Sequence, residues 1–176
     1  MDALESRSGD GRGPLRLTPE PLSAVAWEPY GWLPVPDTDP VDGSNRLEFA
    51  WDDVHVNLIS HSRQEVERSG RYLRCRTLYR HASHTQVLMA LNVKAVLVVA
   101  PADATFGSEG ELGGLRAFGI APLEAVVLKR GTWHWGPFPV GNEPVRLFNI
   151  QGLRYLEDNT SVDLGAAGIV VEVEIL

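Results

Sequence analysis

Apolar and polar residues alternate along several short segments between residue 46 and the end of the chain. The alternation is clearest over residues 72–81, where Leu73, Cys75, Thr77, Tyr79 and His81 share one face and Arg74, Arg76 and Arg80 share the other. A period of two residues is that of a β-strand with one face toward the core. The pattern therefore predicts a strand that ends with His81 on its inward face.

Further segments are rich in β-branched or aliphatic residues and are bounded by Gly, Pro, Asn or Asp. They cover residues 54–59, 85–91, 94–100, 115–120, 125–129, 145–151 and 169–175. A helical period is not evident, and we expect residues 102–114 to form a turn of helix or a loop. Roughly eight to ten short strands without long helices predict an all-β sandwich or barrel.

The N-terminal part has a different composition. Residues 1–14 are rich in Gly, Ser and Arg and lack periodicity, so we expect a disordered tail. Frequent prolines over residues 15–42 exclude a long helix there. Trp27, Tyr30 and Trp32 supply apolar mass in this segment and are expected to cover one end of the core. Residues 15–176 fit a single domain.

Composition narrows the range of partners and compartments. Sixteen basic and twenty-three acidic residues give a net charge of −7, and no Lys/Arg-rich block interrupts it. We therefore expect no binding to nucleic acid or to an anionic membrane, although one or two arginines suffice to hold a small anionic metabolite. The longest apolar run is short, the N-terminus does not resemble a secretory signal, and Cys75 stands alone. The cytoplasm is the expected location.

The segment from Lys129 to Trp135 carries polar groups that an all-β core does not need. Gly131 permits a tight turn after a strand, and three residues later His134 is placed to point back into a barrel. The arrangement resembles the second cupin motif, Pro-x-Gly-x-x-His, with Lys129 where the proline usually stands. The resemblance implies a cupin-like β-barrel in which His134 is a catalytic residue or a metal ligand.

The segment from Arg80 to Gln86 corresponds to the first cupin motif, which typically reads His-x-His followed by Glu. Here two residues separate His81 from His84, and Gln86 stands nearest to the position of the acid. On an extended strand His84 and Gln86 share a face, and His81 is out of that phase unless residues 82–83 form a turn or bulge. A complete site of three histidines and a glutamate is therefore not present.

Taken together, the two segments resemble the ureidoglycolate lyase family. The string Arg-His-x-x-x-Thr-Gln before an apolar strand, then Leu-Arg-Ala-Phe at residues 115–118, then Gly-x-Trp-His follow the family's order over residues 15–164. The residues that match its pattern are His81, Gln86, Arg116, Trp133 and His134. Four departures lie at or near these motifs: Tyr79 before Arg-His, His84 in place of a small residue, Trp135 after Trp-His, and no cysteine near residues 157–160.

The resemblance implies an enzyme that splits ureidoglycolate into glyoxylate and urea during purine nitrogen recovery, in allantoin degradation, and that usually forms a homodimer. It implies His134 as the general base, with His81 second. It further implies Arg116 on the substrate carboxylate and Gln86 on the ureido group. Trp133 and Trp135 are expected in the core and the pocket wall, where they are predicted to contact the substrate.

Two other classes of function remain open from the sequence. A divalent metal (Ni, Zn or Fe) held by His81, His84, Gln86 and His134 would make the chain a metal-dependent cupin enzyme, an isomerase or a dioxygenase. A cupin that binds a small metabolite without catalysis is the third reading. Metal analysis separates the second from the third, and an assay of urea release separates the first from both.

Overall fold

Strands dominate the part of the chain that the computed structural model describes, which is residues 13–36, 45–107 and 109–175. The one short α-helix there is α1 (Ala24–Trp27), and three 3₁₀ segments cover Arg63–Glu65, Glu109–Gly114 and Gly165–Ala167. The strands are β1 (Leu15–Leu17), β2 (Glu20–Pro21), β3 (Gly31–Trp32), β4 (Val54–His61), β5 (Arg68–Ser69), β6 (Tyr72–Cys75), β7 (Thr77–His81), β8 (Gln86–Ala90), β9 (Ala95–Ala100), β10 (Arg116–Ile120), β11 (Ala125–Leu128), β12 (Trp133–Pro139), β13 (Val145–Gly152), β14 (Asn159–Asp163) and β15 (Val171–Glu174).

These strands form three sheets. Their orders are β1-β15-β6-β5, β14-β7-β12-β9-β10-β2 and β3-β11-β8-β13-β4. Neighbours run antiparallel except β1 with β15 and β10 with β2, which are parallel. The prediction of an all-β fold is confirmed. The predicted disordered tail lies outside the described residues, apart from residues 13 and 14, and stays a prediction.

Strand β9, in the interior of the six-stranded sheet, is buried on both faces. All six residues of β9 are buried. Val96, Val98 and Ala100 pack in a cluster with the four-stranded sheet, whereas Leu97 and Val99 pack in a second cluster with the five-stranded sheet. Burying one such side chain stabilises the fold by about 1.5–3 kcal/mol. Because both faces are covered, β9 is a continuous apolar run rather than an alternating one.

The end of the second cluster is covered by the segment around α1, as the sequence predicts for Trp27 and Tyr30. The indole nitrogen of Trp27 donates to the backbone oxygen of Val127 at 3.0 Å, and both aromatic rings contact Phe118. Gly31 lies so close to this point that a Cβ there would sit 1.7 Å from the same oxygen. Only glycine fits at that position.

The segment 72–81 departs from the prediction of one continuous strand. It is interrupted at Arg76, so that β6 joins the four-stranded sheet and β7 the six-stranded sheet. Strand β12 was not predicted as a strand, because Gly136, Pro137 and Pro139 suggest a turn. The register between β12 and β9 shifts between Trp135 and Phe138, and this irregularity accommodates them.

Strands β14 and β4 differ from expectation at the surface of the protein. Residues 159–163 form a strand that the polar sequence did not suggest. In β4 the alternation is as predicted, but the apolar face of Val54, Val56 and Leu58 is the exposed one. Among the described residues, helices are too short and too polar to cross a membrane.

Candidate active site

A cavity of about 410 Å³ lies between the inner faces of the six-stranded and the five-stranded sheets. His81 from β7 and His134 from β12 line it on one side, and Gln86 from β8 lines it on the other. Trp135 also contributes to its wall. The structure thus brings together side chains that stand up to 53 residues apart in the sequence, counted from His81 to His134.

Strand register explains why His134 faces this cavity. His134 pairs with Val99 on β9 and with Tyr79 on β7, so it shares their face toward the five-stranded sheet. The preceding turn contains Gly131 with a positive φ of 79°. Its N–H donates to the backbone oxygen of His81 at 2.7 Å, which ties the two histidine-bearing segments together.

The imidazole of His134 is held as a neutral base. Its Nδ1 lies 3.2 Å from the backbone oxygen of Thr132. A carbonyl oxygen only accepts, so Nδ1 carries the proton and Nε2 keeps a free lone pair. Burial lowers the pKa of His134 to about 4, the bond to Thr132 opposes this shift, and the nearby His84 adds to it.

His81 and His84 can face the same side only if residues 82–83 form a turn or a bulge, and the loop after His81 contains such a turn. Residues Ala82 and Ser83 leave the strand geometry, and their N–H groups donate to the two carboxylate oxygens of Asp158 at 3.1 and 2.8 Å. Both His81 and His84 therefore turn inward. Burial, with His134 and then His84 adding to it, lowers the pKa of His81 to about 3.

His84 lies behind His81 rather than in the cavity wall. Its ring is stacked between His81, at 4.6 Å between ring centroids, and Phe49 at 6.4 Å. Its Nδ1 is 3.0 Å from an oxygen of Asp158, but neither ring nitrogen has an aligned hydrogen bond to the described residues. Burial lowers the pKa of His84, and Asp158 opposes the shift. A Cβ on Gly152 would lie 2.9 Å from that Nδ1, so the ring needs glycine there.

His81, His84 and Asp158 form a buried group that could hold a metal ion. Each offers one ligand atom, and these atoms all lie within 4.8 Å of one another. Nδ1 of His81 likewise has no hydrogen-bond partner among the described residues. Two imidazoles and a carboxylate suit a divalent transition metal. Gln86 and His134, which the sequence also proposed as ligands, are outside this group, and Asp158 was not proposed.

A cluster of buried amides stands opposite the histidines. The Nε2 atom of Gln86 donates to Asn149 at 2.8 Å and to Gln151 at 3.2 Å, and Nδ2 of Asn149 donates to Asn57 at 2.8 Å. Oε1 of Gln86 is buried and has no partner among the described residues. Asn149 and Gln151 were not predicted as site residues. They share the inward face of β13 with Val145 and Leu147, and two amides on an otherwise apolar face were a signal available in the sequence.

Two of the predicted binding residues lie elsewhere. The guanidinium of Arg116 is engaged by the carboxylate of Glu20, with Nε at 2.7 Å, and by the backbone oxygen of Ala26. Trp133 packs edge-on against Phe106, and the guanidinium of Arg80 lies 4.4 Å from its ring centroid. Successive side chains of a strand point to opposite faces, so Trp133 faces away from His134 and packs in the apolar cluster shared with the four-stranded sheet.

Other arginines reach the cavity at its far end. Arg74 and Arg76 line it, and both bind the carboxylate of Glu67, with Nε of Arg76 at 2.7 Å. Arg76 precedes Thr77, which is four residues from His81 on β7, or roughly 13 Å. Both guanidinium groups are paired with Glu67 rather than left free for a substrate carboxylate.

Comparison with known proteins gives a family and a structural neighbour. Residues 14–167 match the family model described as ureidoglycolate lyase. Among similar solved structures is a cupin 2 domain-containing protein from Halorhodospira halophila, with 19% identity, 68% of this chain and 74% of that chain covered, and a TM-score of 0.28. A search of curated proteins finds no match.

Proposed function

The chain belongs to the ureidoglycolate lyase family, and from that premise we propose that it splits ureidoglycolate into glyoxylate and urea in the cavity described above. We place this reaction in purine nitrogen recovery in the cytoplasm. The observation that carries the proposal is the free Nε2 of a neutral His134 in the same cavity as His81 and Gln86.

The reaction needs one proton to move from oxygen to nitrogen. Nε2 of His134 takes the proton of the substrate hydroxyl, the C–O bond becomes the carbonyl of glyoxylate, and the C–N bond breaks. The imidazolium then returns the proton to the nitrogen of the departing urea. A pKa of about 4 keeps His134 neutral at pH 7 and makes its imidazolium a strong enough acid to return the proton.

His81 and Gln86 assist by position. The ring of His81 lies 5.4 Å from that of His134 and fills the wall beside the reacting carbon. Gln86 lines the same cavity, and we assign it to the ureido group of the substrate. Trp135 also lines the cavity, at the edge of the apolar cluster that contains Trp133.

A second candidate function is favoured by the group of His81, His84 and Asp158. The cavity-lining Arg74 and Arg76 are paired with Glu67, and a divalent ion at this group would supply a positive charge for the substrate carboxylate and polarise a hydroxyl oxygen. The chain would then be a metal-dependent cupin enzyme. Ni, Zn and Fe suit its donors equally.

One experiment separates the two candidates. Purified protein is assayed for urea and glyoxylate from ureidoglycolate before and after exhaustive dialysis against EDTA, with metal content measured on the same samples. Equal amounts of the two products from metal-free protein are expected for the histidine mechanism. Activity that is lost with the metal and returns with Ni, Zn or Fe supports the second candidate acting on ureidoglycolate. No product from either sample overturns the lyase and leaves a metal-dependent reaction on another small metabolite.

The homodimer expected from the resemblance is part of the proposal. It is supported by β4, an edge strand whose outward Val54, Val56 and Leu58 are 54%, 56% and 69% exposed. Light scattering should give twice the mass of the 19.3 kDa chain. In Leu58→Glu the mass should fall to that of one chain, and an unchanged mass would place the interface elsewhere.

A further inference from the structure

The cavity has a second polar end, which the proposed reaction does not use. Gln86 on β8 is followed by Leu88, the next inward residue of that strand, and Leu147 of the neighbouring β13 also lines the cavity. Beyond these aliphatic side chains, His61 of β4 contacts Phe138 of β12, with 5.0 Å between the ring centroids. An apolar stretch therefore separates the histidines of the site from this second end.

Two arginines and one glutamate form the charged part of the second end. Arg74 and Arg76 line the cavity and both bind the carboxylate of Glu67, with Nη1 of Arg74 at 2.5 Å and Nε of Arg76 at 2.7 Å. Arg74 is also 3.5 Å from the buried carboxylate of Glu172, whereas Arg76 has no other ion pair among the described residues. Two guanidinium groups that converge on one carboxylate have the geometry with which proteins bind carboxylic acids.

The carboxylate of Glu67 can be exchanged for that of a ligand. Its side chain is 41% exposed and that of Arg76 is 64% exposed, so both groups are accessible. The backbone of Glu67 is held independently of its carboxylate, because its oxygen accepts from the N–H of Arg74 at 2.9 Å and the next residue begins β5. Exposed ion pairs contribute little free energy, so a ligand that displaces this one loses little affinity.

We propose that Arg74 and Arg76 form a carboxylate-binding subsite, which the side chain of Glu67 occupies and from which an amphipathic carboxylic acid displaces it. The acid group of this ligand binds the two arginines. Its apolar chain lies along Leu88 and Leu147, toward the histidines. The inference goes beyond the proposed function, in which these arginines have no part.

Hexanoate and hexanamide are the probes that test the proposal. They share one apolar chain, and only hexanoate carries a charge. Neither has the hydroxyl group or the ureido group of the lyase substrate, so their binding is independent of the proposed reaction. Dissociation constants are measured at pH 7 by NMR titration, which is suited to weak ligands, for the wild-type protein, Arg76→Gln and Glu67→Gln.

Each of the two variants has a matched control. Arg71→Gln is the control for Arg76→Gln, because Arg71 is also 64% exposed but pairs with Glu174 and does not line this cavity. Glu65→Gln is the control for Glu67→Gln. It removes a negative charge from the same cavity wall without releasing an arginine, since the carboxylate of Glu65 is bound by the imidazole two residues before Arg63 and by the following N–H.

The wild type and Arg71→Gln should bind hexanoate several-fold more tightly than hexanamide, and Arg76→Gln should bind the two within about two-fold of each other. Glu67→Gln should bind hexanoate roughly three- to ten-fold more tightly than the wild type does, with unchanged affinity for hexanamide, because the internal competitor is gone. Glu65→Gln should stay within about two-fold of wild type. A partly unfolded variant cannot imitate these results, because Arg76→Gln and Glu67→Gln shift the affinity in opposite directions.

Any of four results would overturn the proposal. They are no binding of hexanoate by either the wild type or Glu67→Gln, a preference for hexanoate that survives in Arg76→Gln, no gain in Glu67→Gln, and an equal gain in Glu65→Gln. Urea release from ureidoglycolate is measured on the same wild-type preparation. Carboxylate binding without urea release contradicts only the lyase, and urea release without carboxylate binding contradicts only the arginine subsite.

Discussion

The buried histidines make a quantitative prediction about stability at acid pH. In the folded protein the pKa is about 4 for His134 and about 3 for His81, below the ordinary 6.5 that each regains on unfolding. Below pH 6.5 the unfolded chain therefore binds more protons than the folded one. The stability that the neutral rings provide is complete above pH 6.5 and is lost as the pH falls toward the folded values.

Between pH 7 and pH 5 each group should cost about 2 kcal/mol of the free energy of unfolding, or about 4 kcal/mol for the two. This loss is a large part of the free energy of unfolding of a typical domain, which is roughly 5–15 kcal/mol. His84, whose pKa is also lowered by burial, acts in the same direction. The loss should appear as a lower urea midpoint at pH 5 with an unchanged slope.

Urea unfolding at pH 7 and pH 5, in EDTA so that no metal holds the rings neutral, checks the prediction. In His134→Gln the loss between the two pH values should shrink by about 2 kcal/mol, because one titrating group is gone. His55→Gln, which removes a histidine outside the cavity, should show the wild-type loss. If wild type and His134→Gln have parallel pH dependences, His134 is not held neutral and the reasoning fails.

The remaining predictions concern other parts of the structure. Asp158→Ala should lower the free energy of unfolding by about 2–4 kcal/mol, because two backbone N–H donors lose a charged acceptor. Asp163→Ala is the control: it removes one exposed hydrogen bond and should cost less than half as much in the same urea titration. Arg116→Ala should leave the KM for ureidoglycolate within about two-fold of wild type, as its guanidinium binds Glu20; a KM increase above ten-fold would return it to the site. The thiol of Cys75 is buried and its pKa is raised, so it should react with a thiol reagent only after unfolding; rapid labelling of native protein would contradict this.

The class of fold was predictable because strand periodicity is a local property. The alternation of residues 72–81 correctly placed His81 on an inward face, and the aliphatic run of residues 94–100 correctly predicted strand β9. Which sheet a strand joins depends instead on its pairing with strands that are far away in the sequence. The interruption at Arg76, which sends β6 and β7 to different sheets, was therefore not visible.

The site was predictable where a motif fixes the local geometry. Gly131 and His134 form one turn and one strand, so the direction of His134 followed from the sequence. Arg116 did not, because its partner Glu20 is 96 residues away and nothing in either segment announces the pair. Asp158 was overlooked for a similar reason, since its contacts with the turn after His81 join segments 75 or more residues apart.

The turnover of His134→Ala tests the central claim most directly. Urea release from ureidoglycolate is measured for wild type, His134→Ala and His55→Ala, all dialysed against EDTA, with melting temperatures recorded. The account predicts that His134→Ala loses about 10²–10⁴-fold in kcat while its melting temperature stays near that of wild type, and that His55→Ala keeps its activity. A kcat for His134→Ala within a few-fold of wild type would show that this histidine only packs against its neighbours, and would contradict the proposed mechanism.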